Sequence, residues 1–110
     1  MKTIAQNKRL KALYRHGDVL VEQVDHIPTE AVKRPHLVLA EGEMTGHSHR
    51  IGEAGSAELH QHGTLMFLRV TAPFAMLVHQ EHGPIKLPRG DYRVWRQREY
   101  SPQEIRVVRD

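Results

Sequence analysis

The sequence predicts an all-β fold, a small single domain built as a barrel or a sandwich. Three observations carry this. Eight or more short segments show apolar residues alternating with polar ones or gathered into brief blocks. Glycine and proline punctuate those segments at close intervals. No stretch sustains a helical period, and there is no internal repeat or low-complexity tract.

Residues 1–12 show no clear period and carry Lys2, Lys8, Arg9 and Lys11 without an acid. They read as a basic, mobile N-terminal arm, with residues 13–110 forming the β-barrel domain; a helical turn carrying Ile4, Leu10 and Leu13 is the other reading. Gly17-Asp18 signals a turn into a strand marked by Val19, Val21 and Val24. Pro28-Thr29 opens a short helical turn, and Pro35 stops it before a strand over residues 36–40. A turn over 41–46 leads into the extended stretch 47–51, and Gly52 and Gly55 break the next segment. Residues 57–60 make a strand, and Gln61-His62-Gly63 a tight hairpin turn into 64–70, the most hydrophobic run in the chain. Pro73 separates that run from a further buried strand over 74–79. Glu81-His82-Gly83-Pro84 is a turn, Ile85-Lys86-Leu87 alternates, and Pro88-Arg89-Gly90-Asp91 is a strong turn signal. Tyr92, Val94, Arg96 and Arg98 then alternate with Arg93, Trp95, Gln97 and Glu99, and residues 105–109 make a last strand.

At 110 residues the chain suits one domain with a modest core. Its 39% hydrophobic content is low for a compact domain, so a shallow core or a homo-oligomer interface is expected. With no cysteine, disulfides and thiolate metal sites are excluded. No signal-peptide or membrane-spanning run is present, which suggests a cytoplasmic protein without a membrane partner. Net charge is +3, unevenly spread: +5 over residues 1–16, −5 over 17–85 and +3 over 86–110. The pI of about 9.5 therefore implies no uniform nucleic-acid-binding surface.

The chemistry concentrates in nine histidines, several times a usual share. His47 and His49 point the same way from an extended segment, with Ser48 and Arg50 on the other face. Paired imidazoles can hold a transition metal or share proton transfer. His79-x-x-His82 spans a strand end and the next turn, so both rings can converge on one point. If those strand ends meet the first pair, three neutral imidazoles bind a divalent metal and leave a position for water, with zinc as the default ion. His60-x-His62 flanks a hairpin tip, where exposed histidines are ordinary, and His16, His26 and His36 stand isolated.

His47-x-His49 followed three residues later by Glu53 resembles the first metal motif of the cupin family, and Pro88-x-Gly90 is similar to the turn of the second. The resemblance implies a cupin-like β-barrel whose interior metal is held by His47, His49 and Glu53. Where the second motif places its metal-binding histidine, three residues after the glycine, this chain has Arg93. The resemblance therefore lacks its fourth ligand, and His79 and His82 are the replacements by placement.

A second constellation is basic and aromatic. Arg96 and Arg98 would share a strand face with Tyr92 and Tyr100, a pattern suited to phosphate contact and base stacking. A charged edge strand has the same pattern. These features allow three functions. The first is a metal-binding barrel acting on a small-molecule substrate. The second is an RNA-binding or RNA-cleaving module, with His47, His49 and His82 as catalytic acid and base and Arg50, Arg96, Arg98 and Tyr100 holding phosphate. The third is an oligomer-forming β-protein. No Walker motif, dinucleotide fingerprint or nucleophile elbow is present.

Overall fold

In a computed structural model, residues 11–42 and 46–97 are described. They form eight strands and no helix: β1 (Leu13–His16), β2 (Val19–Val24), β3 (Val32–Lys33), β4 (Val38–Glu41), β5 (Ser48–Ile51), β6 (Ala57–His62), β7 (Leu65–Val78) and β8 (Ile85–Arg96). All pairings are antiparallel, and all strands belong to one sheet. The all-β expectation is therefore met.

The sheet is not a closed barrel, because the pairing path runs from β1 to β4 without a bond joining its ends. Its organising element is the long β7–β8 hairpin. The first half of β7 pairs with β6, from Leu65↔His62 to Val70↔Ala57, and its second half pairs with β5 at Leu77↔Ile51 and Val78↔Arg50. On the other side β8 pairs along both halves, with the register shifting between Val70 and Phe74. One half-sheet thus reads β1-β2-β8-β7-β6-β3 and the other β8-β7-β5-β4, sharing the bent hairpin. The arrangement is compatible with a sandwich or a cupin-like fold.

Two expected breaks prove to be bends inside continuous strands. Pro73 reads as a strand end and Pro88 to Asp91 as a turn, yet β7 and β8 continue through both positions. The prolines fall where the ladder is already interrupted. Pro88 lies opposite Phe74, at the edge of the register shift, and the bulged amides of Thr71 and Ala72 donate instead to the Ser56 carbonyl at 3.0 and 3.2 Å. Gly90, with φ of 149°, supplies on β8 a backbone angle that other residues rarely adopt. The expected strand over 105–109 and residues 1–10 of the arm lie outside the described residues.

The core lies on the inward positions of both half-sheets and is dominated by Val19, Leu59, Leu68, Leu77, Leu87 and Tyr92, each at most 2% exposed. Tyr92 meets Tyr14 edge-on at 6.2 Å and donates its hydroxyl to the Pro88 carbonyl at 2.6 Å, so it steadies the β8 bend. Burial, with Tyr14 adding to it, pushes the Tyr92 phenol up to about 12. The expected Tyr92–Arg96 platform is therefore corrected. That side of β8 faces inward, because Tyr92 and Val94 are core residues. Across the hairpin, Arg69 pairs with its cross-strand neighbour Asp91 at 3.0 Å.

Candidate metal centre

Five of the nine histidines gather at one end of the molecule, where the β1–β2 turn meets β5 and the β7–β8 turn. Strand parity sets who points there. On β5, His49 and Ile51 are buried while Ser48 and Arg50 are half-buried on the opposite face. His16 is the last residue of β1, paired with Val19 across the two-residue loop Gly17-Asp18. His79 follows the last residue of β7, and His82 lies in the turn beyond it. The Gln80 side chain ties that turn to the stretch before β5, donating to the Gly46 carbonyl at 2.9 Å and accepting from the Ser48 amide at 3.0 Å.

His49 stands at the centre, 3% exposed. Its ring lies 4.4 Å from that of His79, 5.0 Å from His16 and 5.6 Å from His82, centroid to centroid. One ring nitrogen from each of His49, His79 and His82 lies within 4.8 Å of the other two. Among the described residues these three form the group that could hold a metal ion. Two nitrogens on a tetrahedral ion, each about 2.0–2.1 Å from it, are roughly 3.3 Å apart. Loading therefore needs a contraction on the order of 1 Å, which His82 on its exposed turn can supply.

The protonation state suits this. Burial, reinforced by His79 and His16, holds His49 down at about 4. Burial also lowers His16, partly opposed by its bond to Gly83, and lowers His79 with help from His82 and His47. At neutral pH these rings are uncharged, the form in which imidazole ligates metal. Asp18 adds a carboxylate at the rim, its Oδ1 3.5 Å from His49 Nε2. Arg96 holds the other oxygen, Oδ2, through Nη2 at 2.9 Å and Nε at 3.2 Å. Burial alone would raise Asp18, but the Arg96 bonds prevail and keep its carboxyl below the usual range.

The remaining candidates divide plainly. His47 stands beside the cluster, its ring 5.7 Å from that of His79 and its Nδ1 3.6 Å from Glu81. Glu53 is exposed in the turn after β5, where its backbone carbonyl takes the Ser56 hydroxyl, and it is not in the group of three. Arg50 is half-buried on the far face of β5, and Arg93 stacks over Trp95 at 4.8 Å. Arg98 and Tyr100 lie outside the described residues. His60 bonds Glu58 at 3.1 Å, away from the cluster.

Sequence reasoning passed over two members. His16 and Asp18 flank Gly17, and their shared signal was that tight turn: it ends β1 and aims both side chains at one spot. A Cβ on Gly17 would lie 2.7 Å from His82 Nε2 and 3.1 Å from His49 Cε1, so only glycine lets the turn come this close.

A family model described as "Domain of unknown function (DUF8820)" matches residues 15–97, three quarters of the chain. The chain belongs to that family. The match begins at Arg15 and ends at Gln97, so it takes in His16, Asp18, His49, His79 and His82 together. No curated protein and no solved structure matches the chain.

Proposed function

We propose that this protein binds a divalent transition metal through His49, His79 and His82, leaving a coordination position for water or a small-molecule substrate. The observation that carries this is the convergence of three imidazole nitrogens within 4.8 Å around a buried, uncharged His49. An all-nitrogen donor set fits zinc and its first-row neighbours and disfavours magnesium and calcium, which take oxygen. The metal would supply Lewis acidity and a bound water of lowered pKa. The chain's own part is to hold the ligands, keep His49 and His79 neutral and place the Asp18 carboxylate beside His49. Of the cupin resemblance, this keeps His49, leaves out His47 and Glu53, and puts His79 and His82 where the second-motif histidine is missing.

Loading has a signature of its own. The Glu81 amide donates to His79 Nδ1 at 2.9 Å. If His79 ligates through Nδ1, that lone pair is used. If it ligates through Nε2, a neutral ring carries its proton on Nδ1. Either way the Glu81 amide loses its acceptor. Titrating protein free of any histidine tag with Zn²⁺ or Co²⁺ should therefore give one equivalent of uptake and a shifted Glu81 amide resonance. His49→Ala should abolish both. Uptake that leaves Glu81 unmoved, or that survives His49→Ala, would place the metal elsewhere; no uptake at all would end the proposal.

A further inference from the structure

We propose that His16 is a positioning residue that fixes the tautomer of His49 and so commits His49 Nε2 to the metal; this rests on the metal reading above. The argument starts from the one partner with no choice. His16 Nε2 lies 2.9 Å from the Gly83 carbonyl oxygen, which can only accept, so His16 Nε2 carries the proton. His16 is 2% exposed and surrounded by other imidazoles, so it stays neutral and its Nδ1 is a bare lone pair. That Nδ1 lies 3.0 Å from His49 Nδ1, and a bond between two ring nitrogens needs one proton and only one. The proton must come from His49. A neutral His49 with its hydrogen on Nδ1 then has its own lone pair on Nε2.

The opposite polarity fails on charge and distance. If His49 held its proton on Nε2, its Nδ1 could only accept, and His16 would have to donate from both nitrogens. That makes His16 a buried imidazolium. The only gain would be a contact from His49 Nε2 to Asp18 Oδ1 at 3.5 Å, longer than an ordinary hydrogen bond. The polarity that the hydrogen bonds require instead leaves the His49 Nε2 lone pair beside the Asp18 carboxylate, 3.5 Å from its Oδ1. The chain Gly83 carbonyl, His16, His49 is thus an outer shell for the metal, with an imidazole where a carboxylate or carbonyl more often orients a ligating histidine. It also crosses the molecule: His16 belongs to one half-sheet, His49 to the other, and Gly83 to the β7–β8 turn.

Long-range proton–nitrogen spectra of metal-free wild-type protein test the relay directly. His49 should carry its hydrogen on Nδ1 and none on Nε2, and His16 the reverse. His16→Phe removes both bonds and should weaken Co²⁺ binding about ten- to a hundredfold. His16→Gln, whose amide offers one donor and one acceptor, should keep the His49 tautomer and recover most of that loss. A His49 proton found on Nε2 in wild-type protein overturns the inference, as does wild-type affinity in His16→Phe. If His16→Phe does not fold, the wild-type spectrum and His16→Gln still decide. Wild-type protein that shows the expected tautomers yet takes up no Co²⁺ sinks the metal reading alone. The reversed tautomer with normal uptake sinks the relay alone.

Discussion

At the scale of single residues, the cluster has a cost that can be measured without any metal. His49 is held at about 4 in the folded chain against an ordinary 6.5, chiefly because burial penalises its charged form. The unfolded chain takes up this proton first as pH falls. Stability is therefore complete above about 6.5 and lost progressively from there toward 4. His16 and His79 are displaced in the same direction and add to the loss. Asp18 is lowered instead, so its contribution persists until pH falls below its ordinary 3.8 and does not enter this window. From His49 alone, metal-free protein should lose about 2 kcal/mol between neutrality and pH 5. Urea midpoints across that range read it directly. A flat profile would mean that His49 is charged or exposed in solution, and the cluster would not be the packed site described.

At the scale of elements, the β1–β2 loop is the narrowest tolerance in the site. Gly17 has φ of 65° at the first position of a two-residue hairpin loop, as a type II′ turn requires. Gly17→Ala should cost about 1–2 kcal/mol from that backbone angle alone. Its Cβ would also meet His82 Nε2 at 2.7 Å, and the exposed ring can yield only by leaving its place. Metal affinity should therefore fall by more than the stability loss explains, read by Co²⁺ titration at a temperature where the variant is folded. Unchanged affinity would show that His82 is not a ligand. This loop also marks how far the sequence could be read. Gly17-Asp18, the alternation of Val19 to Val24 and the Gly63 hairpin were legible because local backbone chemistry decides them. The β7–β8 bends were not, since Pro73 and Pro88 look like strand ends unless one knows that the two strands kink together. His49 was legible from parity within its own strand, and His79 and His82 from their position at a strand end. His16 was invisible for a different reason: its role depends on Gly83, sixty-seven positions away, and only the folded sheet brings that carbonyl to it.

At the scale of the whole molecule, the site works as a clasp. Its proposed ligands come from β5 and from the end of β7 with its following turn, all in one half-sheet, while His16 and Asp18 reach in from the β1–β2 turn of the other. Away from this end, the shared β7–β8 hairpin and the core join the two halves. A metal bound only to the folded chain should stabilise it by about 2.7 kcal/mol at a hundredfold excess over Kd. For a domain of this size that is a rise of roughly 10–20 °C in Tm. The distribution of that gain is the sharper prediction. If the relay couples the halves, hydrogen exchange should slow with Zn²⁺ at His82 and Gly83, though not at Glu81, whose amide loses its acceptor, and also at Val19 and Leu20, which begin β2. The β3–β6 edge, joined to the rest through β7, should change least. In His16→Phe the protection should shrink to His82 and Gly83, because the ligands would still hold metal but the bond across the halves would be gone. A thermal shift of equal size in His49→Ala would assign the gain to other histidines, such as His60 or His62, and the clasp would have no part in it.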